Sequence, residues 1–296
     1  MPRVLVWLAK WYEILGGRLV GDMHLCVSAA MGRWVGMNLG KEGVVVYDRP
    51  RGEWVSRRIG GDGVRMGKEE EGRMEFFERI LGNCFGMKRE NVWVRGECKV
   101  AVTCTSWTAD EDFGLLLSAL KQVDSVLSES SMKFKSLVVF ITGRGPLRKH
   151  YEQVLLQESY SNIAVCTAWL AYKDYLQLLR SADVGISLHK SSSGIDLPMK
   201  VVDMFGSGLP VYSYEYNAID ELVLNGKNGC LFKDCDGLAR LLNEMFSENG
   251  SEELIRMQEN LERYFAKPQV RWDGYWASMV LPLFRKLEKK ESNNVH

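Results

Sequence analysis

Between Cys98 and Phe246, apolar runs of strand length alternate with amphipathic stretches of helix length, and this alternation restricts the chain more than any other feature. The runs KVAVTCTS, SLVVFITG, NIAVCTAW, DVGISLHK, LPVYSYE and GCLFKD are separated by FGLLLSALKQVDSVL, LRKHYEQVLLQ, DYLQLLRSA, a helix at about Met199 to Phe205, AIDELVL and DGLARLLNEMF. Continuous apolar runs suit strands covered on both faces, and the segments between them are long enough to be crossover helices. The pattern predicts an α/β fold, a parallel sheet wrapped by helices, with ligands bound where the strands end.

The preceding stretch is less regular. Residues up to about Asp48 read as helix, an apolar run over Met23 to Ala29, a further helix and the run Val44 to Tyr47, which is α/β order without enough strands for a complete sheet. A glycine- and arginine-rich loop is expected over about 49–72, including the charged run Lys68 to Glu71, followed by the helix-like MEFFERILGNCF. The opening MPRVLVWLAKWYEILGG carries Arg3, Lys10 and Glu13, so it reads as an amphipathic helix, short of the ~20 apolar residues a membrane span requires.

Charge and rare residues exclude several classes. Lysine plus arginine and aspartate plus glutamate number 38 each, so no overall field draws nucleic acid or an anionic membrane, and any anion site must be local. Seven cysteines without a CxxC pair argue against a disulfide framework and for a reducing compartment. The four histidines form no helical pair around a glutamate, which argues against a zinc hydrolase and leaves them as surface or loop residues.

Three loops follow strands and carry chemistry. The first, Thr142-Gly143-Arg144-Gly145-Pro146, is either a plain tight turn or a place where glycines let backbone approach a phosphate, with Arg144 adding a charge-assisted contact. The second, HKSSSGIDLPMKVVDMFGSGLPV, offers the hydroxyls of Ser192 and Ser193 and the flexible Gly194 ahead of a helix that Pro198 suits at its first turn. Helical spacing sets Asp196, Lys200 and Asp203 near one another, as a surface ion-pair set or, at a strand's carboxyl end, as a sugar-nucleotide site. A carboxylate there accepts ribose hydroxyls and the lysine offsets diphosphate charge. The third, Ser106-Trp107-Thr108-Ala109-Asp110-Glu111-Asp112, holds three acids that match a DxD metal motif, but helix capping is the preferred reading.

TSWTADEDF, ITGRGPLR, SLHKSSSGIDLPMKVVDMFG and RWDGYWASMVLPLF, in that order, resemble the chitobiosyldiphosphodolichol beta-mannosyltransferases. The likeness runs over about residues 99–285, and more faintly over LAKWYEILGGRL, HLCVSAAM and VVVYDRP. It implies a GT-B fold of two Rossmann-like domains: a truncated amino-terminal, acceptor-side one over 1–98, a complete donor-binding one over 99–266, a crossover helix over 267–290 that braces the other domain, and a tail over 291–296. The membrane-anchoring helix and the first half of the amino-terminal domain are not visible.

The resemblance further implies transfer of mannose, with inversion, from GDP-mannose to dolichol-diphosphate-linked chitobiose at the cytosolic face of the endoplasmic reticulum membrane, next to other glycosyltransferases of that pathway. The donor set it implies is Ser106, Trp107, Gly143, Arg144, Gly145, Ser192, Ser193, Gly194, Asp196, Leu197, Met199, Lys200 and Asp203. Asp203 matches the second acid of a Glu-x7-Glu element, while Asp196 stands seven residues earlier where eight is usual. Arg144 and Lys200 replace the arginine and lysine that relatives place after the first strand of this domain. No cofactor and no metal are expected, and no general base is assigned. The alternative is a donor-binding or scaffold protein without turnover, because one substrate platform is incomplete.

Overall fold

The computed structural model describes residues 14–19, 21, 23–52, 55, 67–81, 98–129 and 136–294. The expected helix over the opening residues and most of the loop that follows Arg49 fall largely outside them; of the expected tail over 291–296, only the last two residues do, and 291–294 continue the last helix.

Six strands form one parallel sheet: β3 (Cys98–Cys104), β4 (Ser136–Thr142), β5 (Ile163–Ala168), β6 (Val184–Ser187), β7 (Val211–Tyr214) and β8 (Gly229–Phe232). Their order is β5-β4-β3-β6-β7-β8. The alternation of side chains along β3 builds two cores. Val100, Val102 and Cys104 join Val138, Phe140 and Leu178 on one face. Ala101 joins Val139, Ile141, Leu116 and Leu120 on the other.

The crossovers are α3 (Phe113–Glu129), α4 (Arg148–Gln157), α5 (Tyr172–Ser181) and α6 (Met199–Gly206), with α7 (Cys235–Glu244) and α8 (Glu248–Phe265) after the last strand. AIDELVL forms only a 3-10 turn over Ile219–Glu221. Because β3 pairs with β4 on one side and β6 on the other, the chain reverses direction across the sheet there. Loops diverge at such a switch point and leave a crevice at the carboxyl ends of the strands.

A smaller unit precedes this one: β1 (His24–Cys26) and β2 (Gly43–Val45), paired in parallel and connected by α1 (Ala29–Leu39). Ser28 caps α1 by accepting the amide of Met31, and Gly40 closes it at φ 66°.

The connection expected over 49–72 is shorter than that, because α2 spans Gly67–Leu81 and takes in the run Lys68 to Glu71; lysine and glutamate extend a helix readily. α2 packs with the large sheet. Phe77 stacks on Phe140 at 5.7 Å, and buried Arg73 donates to the Asp183 carboxylate at 2.9 Å and to the carbonyl of Ser181 at 2.7 Å. Asp183 in turn accepts the amide of Val100 at 2.7 Å, so α2 is fixed to the start of β3.

The carboxyl-terminal segment runs through α9 (Trp272–Tyr275), a π-helical turn (Trp276–Val280) and α10 (Leu281–Asn294). It returns to the small unit: the Trp272 amide donates to the Pro50 carbonyl at 2.9 Å, and the Arg49 guanidinium lies 4.9 Å from the Tyr275 ring centroid. No helix among the described residues is long and apolar enough to cross a membrane. Cys26, Cys98, Cys104, Cys230 and Cys235 are free thiols, whereas Cys166 is disulfide-bonded, against the expectation of unpaired cysteines.

Candidate functional site

The loop after β3 is shaped from within. Trp107 has φ 50°, the described chain's one positive φ outside glycine, and this turns its indole inward. The ring is fully buried, stacked on Phe113 at 4.5 Å, with its N–H donating to the Gly143 carbonyl at 3.2 Å. Its side chain is therefore a core element and offers no surface to a ligand, a correction to its place in the expected donor set.

The glycines of the loop after β4 are required by the same contact. A Cβ on Gly143 (φ 147°) would stand 1.8 Å from the Thr105 carbonyl oxygen, and one on Gly145 would stand 1.7 Å from that of Ser106. Their lack of a side chain lets two protein loops interlock; a phosphate is not needed to explain it. Arg144, between them, projects outward with its guanidinium 4.3 Å from the Trp169 ring centroid.

Lys200, in the first turn of α6, lies over the switch point. Its ammonium donates to the Ser106 hydroxyl at 2.9 Å and to the Glu111 carboxylate at 3.0 Å. Glu111 is 6% exposed and accepts further from the Ser106 amide at 2.9 Å and from the Thr105 hydroxyl. The expected grouping of Lys200 with Asp196 on one helical side is thus replaced by an ion pair to another loop. Asp196 is not on the helix: Pro198 stands just before it, at ψ 114°, and a residue that precedes proline is kept out of helical geometry.

Asp196 instead closes a compact polar turn. It accepts from the hydroxyls of Ser191 and of Ser193, the latter at 3.0 Å, and meets His189 Nε2 at 3.0 Å. Burial works to raise this carboxyl, but the hydrogen bonds from Ser191, His189 and Ser193 outweigh it and hold it below the usual range. His189 Nδ1 faces Asp110 at 3.2 Å, so the ring joins the loops after β3 and β6. Gly194, at φ 71°, has its amide on the Ser191 hydroxyl at 2.7 Å. Ser192 and Met199 are exposed, and Leu197 is half-buried.

The acids of the loop after β3 divide their work. Asp112 caps α3 by accepting the Leu115 amide at 3.0 Å, as the capping reading predicts, and also pairs with Lys190 at 2.8 Å. The sequence marks Glu111 only as one of three loop acids and His189 only as a loop histidine; what it does not reveal is their pairing with Lys200 and Asp110, 89 and 79 residues away. Asp203, deeper in α6, accepts from the Tyr175 hydroxyl at 3.2 Å. Burial pushes its carboxyl up to about 6, against the lowering effect of Tyr175 and Lys200.

The result is a cleft edge with an anchored ammonium, exposed serine hydroxyls, a strongly ionised carboxylate and a second, half-buried one. Such a set can neutralise an anion and accept hydrogen bonds from neighbouring hydroxyls.

Residues 99–248 match the family model described as glycosyl transferases group 1. Chitobiosyldiphosphodolichol beta-mannosyltransferase of Homo sapiens is 39% identical over 297 residues, which cover 94% of this chain and 62% of that protein. UDP-glycosyltransferase TURAN of Arabidopsis thaliana is 36% identical over 312 residues, 96% of this chain and 66% of that one. The crystal structure of Anabaena Alr3699/HepE in complex with UDP and glucose superposes with a TM-score of 0.62 at 13% identity, over 94% of this chain and 65% of that one. The architecture is accordingly GT-B-like, and the chain spans about six tenths of the length of such relatives.

Proposed function

Because the chain belongs to the group 1 glycosyl transferases, we propose that it transfers mannose from GDP-mannose to dolichol-diphosphate-linked chitobiose, forming the beta-1,4 linkage of the early dolichol pathway. The observation that carries the reading is Lys200, an ammonium held at the switch-point crevice by a buried carboxylate and a serine hydroxyl. A cation fixed before the ligand arrives needs little reorganisation when charge develops on a leaving group. The names of the relatives supply the sugar and the acceptor.

The donor has an alpha linkage and the product a beta linkage, so one displacement suffices. The acceptor 4-hydroxyl oxygen bonds to mannose C1 as the bond from C1 to the diphosphate oxygen breaks, and GDP leaves with the electron pair. Lys200 and Arg144 offset the charge gathering on the diphosphate. Asp203 accepts the ribose hydroxyls, and Asp196 with Ser192, Ser193 and the Gly194 turn faces the mannose. Ser106, Gly143, Gly145, Leu197 and Met199 contribute backbone and walls. A base takes the hydroxyl proton, and no cofactor or metal enters the scheme.

The acceptor's lipid places the reaction at the cytosolic face of the endoplasmic reticulum membrane. Residues 1–98 form the acceptor side, except that α2 travels with the donor-binding unit, and 267–290 brace the two. Other enzymes of the pathway are natural neighbours for so lipid-bound a substrate.

The test is a transfer assay with GDP-mannose and a short-chain chitobiosyl diphosphate lipid, the product treated with a beta-specific mannosidase. A mannosylated, mannosidase-sensitive lipid is expected. Donor binding without transfer by the folded chain would contradict the catalytic reading and leave a donor-binding protein.

A further inference from the structure

We infer that Tyr175 is a positioning residue for the donor: its hydroxyl holds the Asp203 carboxylate in the place where that acid accepts the ribose hydroxyls. The inference rests on the donor-site reading given above, which names Asp203 but no residue that orients it.

Tyr175 lies near the start of α5, and Asp203 in the second turn of α6. The two helices share one face of the sheet, where Leu178 and Leu179 of the first join Val201, Met204 and Phe205 of the second in a single core. Tyr175 packs against that core and donates to Asp203 Oδ2 at 3.2 Å. Its hydroxyl also meets the buried thiol of Cys104, the last residue of β3, so the contact stands at the carboxyl end of a strand that borders the crevice.

Among the described residues, the titratable groups that face Asp203 are Tyr175 from α5, Cys104 from β3 and Lys200 from its own helix. Lys200 is committed to Glu111 and the Ser106 hydroxyl, and it acts on Asp203 through its charge, without a hydrogen bond. Tyr175 therefore supplies the hydrogen bond to this carboxylate, and Oδ1 accepts none among the described residues. Burial first, and then Cys104 and Asp203, push the Tyr175 hydroxyl up, so it keeps its proton and remains a donor at neutral pH. Burial likewise keeps Cys104 a thiol.

A bond that only joined two helices would have no need of a carboxylate, since apolar packing already unites them. Burial raises Asp203 to about 6, so its ionised form weakens the fold at neutral pH. An acid retained in such surroundings, at the ligand-bearing edge of a parallel sheet, fits a binding role. That role requires an ionised carboxylate in one orientation. A lasting donor on Oδ2 supplies it and leaves Oδ1 for a ligand hydroxyl.

The experiment titrates the full chain, Tyr175→Phe, Asp203→Asn and the double variant calorimetrically, between about pH 5.5 and about pH 8.5. The ligands are GDP, 2′,3′-dideoxy-GDP, which lacks both ribose hydroxyls, and inorganic pyrophosphate. Phenylalanine keeps the ring in the core, so thermal melts close to wild type are expected. At neutral pH Tyr175→Phe should weaken GDP about tenfold, the scale of one hydrogen bond to a charged group, and leave pyrophosphate unchanged. The wild-type preference for GDP over the dideoxy compound should largely vanish. The pH below which GDP affinity falls should move up, because Asp203 without its donor protonates sooner as pH drops. In the Asp203→Asn background the tyrosine change should have little further effect. Full preference for GDP with an unmoved pH profile in Tyr175→Phe, equal losses in both backgrounds, or a Tyr175→Phe chain that no longer folds would overturn the inference while leaving the donor site standing. Wild-type protein that does not prefer GDP over dideoxy-GDP would overturn the ribose role of Asp203, and that of Tyr175 with it.

Discussion

Lys200 reaches Glu111 across 3.0 Å, joining the start of α6 to the loop after β3 directly over the point where the sheet changes direction. The pair is asymmetric: Glu111 is buried with two further donors, whereas Lys200 keeps about a third of its side chain exposed. The acid holds the lysine in place, and the lysine faces the crevice.

Glu111→Ala should therefore cost more than a surface ion pair does. It leaves the Ser106 amide and the Thr105 hydroxyl without their acceptor, and the loss should be about 2–3 kcal/mol. Urea unfolding of the variant checks this; a loss below about 1 kcal/mol, the range of exposed pairs, would contradict it.

Asp203 makes stability depend on pH. Burial raises its carboxyl to about 6, from an ordinary 3.8. A raised folded value means the native state prefers the protonated form. The contribution is fully present below about 4 and is lost as pH rises through about 6. Asp203→Asn should remove this term and be roughly 2 kcal/mol more stable than wild type at pH 8, with little difference at pH 4. The same variant should bind GDP-mannose more weakly. Parallel pH profiles of melting and of binding test both halves.

Two glycines separate packing from backbone strain. Gly145→Ala would drive a Cβ to 1.7 Å from the Ser106 carbonyl oxygen, whereas Gly226, at φ 74°, has open space around it. We expect Gly145→Ala to destabilise by about 3 kcal/mol or more and Gly226→Ala by about 1 kcal/mol. Equal losses in chemical denaturation would mean that the interlocked loops yield.

Glu221 anchors the small unit. Its carboxylate accepts the Ala29 amide at 2.6 Å, the Ala30 amide at 2.8 Å and the Tyr47 hydroxyl at 3.1 Å, and Ser28 donates to the Ile195 carbonyl beside them. A carboxylate at the positive end of α1 is well matched to the free amides there. Glu221→Ala should speed hydrogen exchange over Ala29–Leu39 by about tenfold while strands β3 to β5 keep their protection. Uniform loss of protection would contradict a local anchor.

The large sheet was legible because each strand is an apolar run bounded by polar turns, and two-sided burial leaves that signature directly in the sequence. The loops were legible only as places. That Asp112 caps a helix follows from residues three apart, a local fact. That Lys200 meets Glu111, or that His189 lies between Asp110 and Asp196, depends on loops brought together from β3 and β6, about 80 residues apart in sequence. Trp107 illustrates the same limit: its position after a strand suggests a site residue, but one positive φ folds the ring into the core. The Gly143 and Gly145 pair resembles a phosphate turn in sequence, yet what those positions exclude is another loop's carbonyl oxygen.

The most direct test of the donor site is calorimetric titration of the full chain with GDP-mannose and with UDP-N-acetylglucosamine, repeated with Lys200→Ala. Selective GDP-mannose binding that weakens about tenfold or more in the variant is the predicted result. A folded wild-type chain that binds neither compound, or a variant that binds GDP-mannose as tightly as wild type, would contradict it.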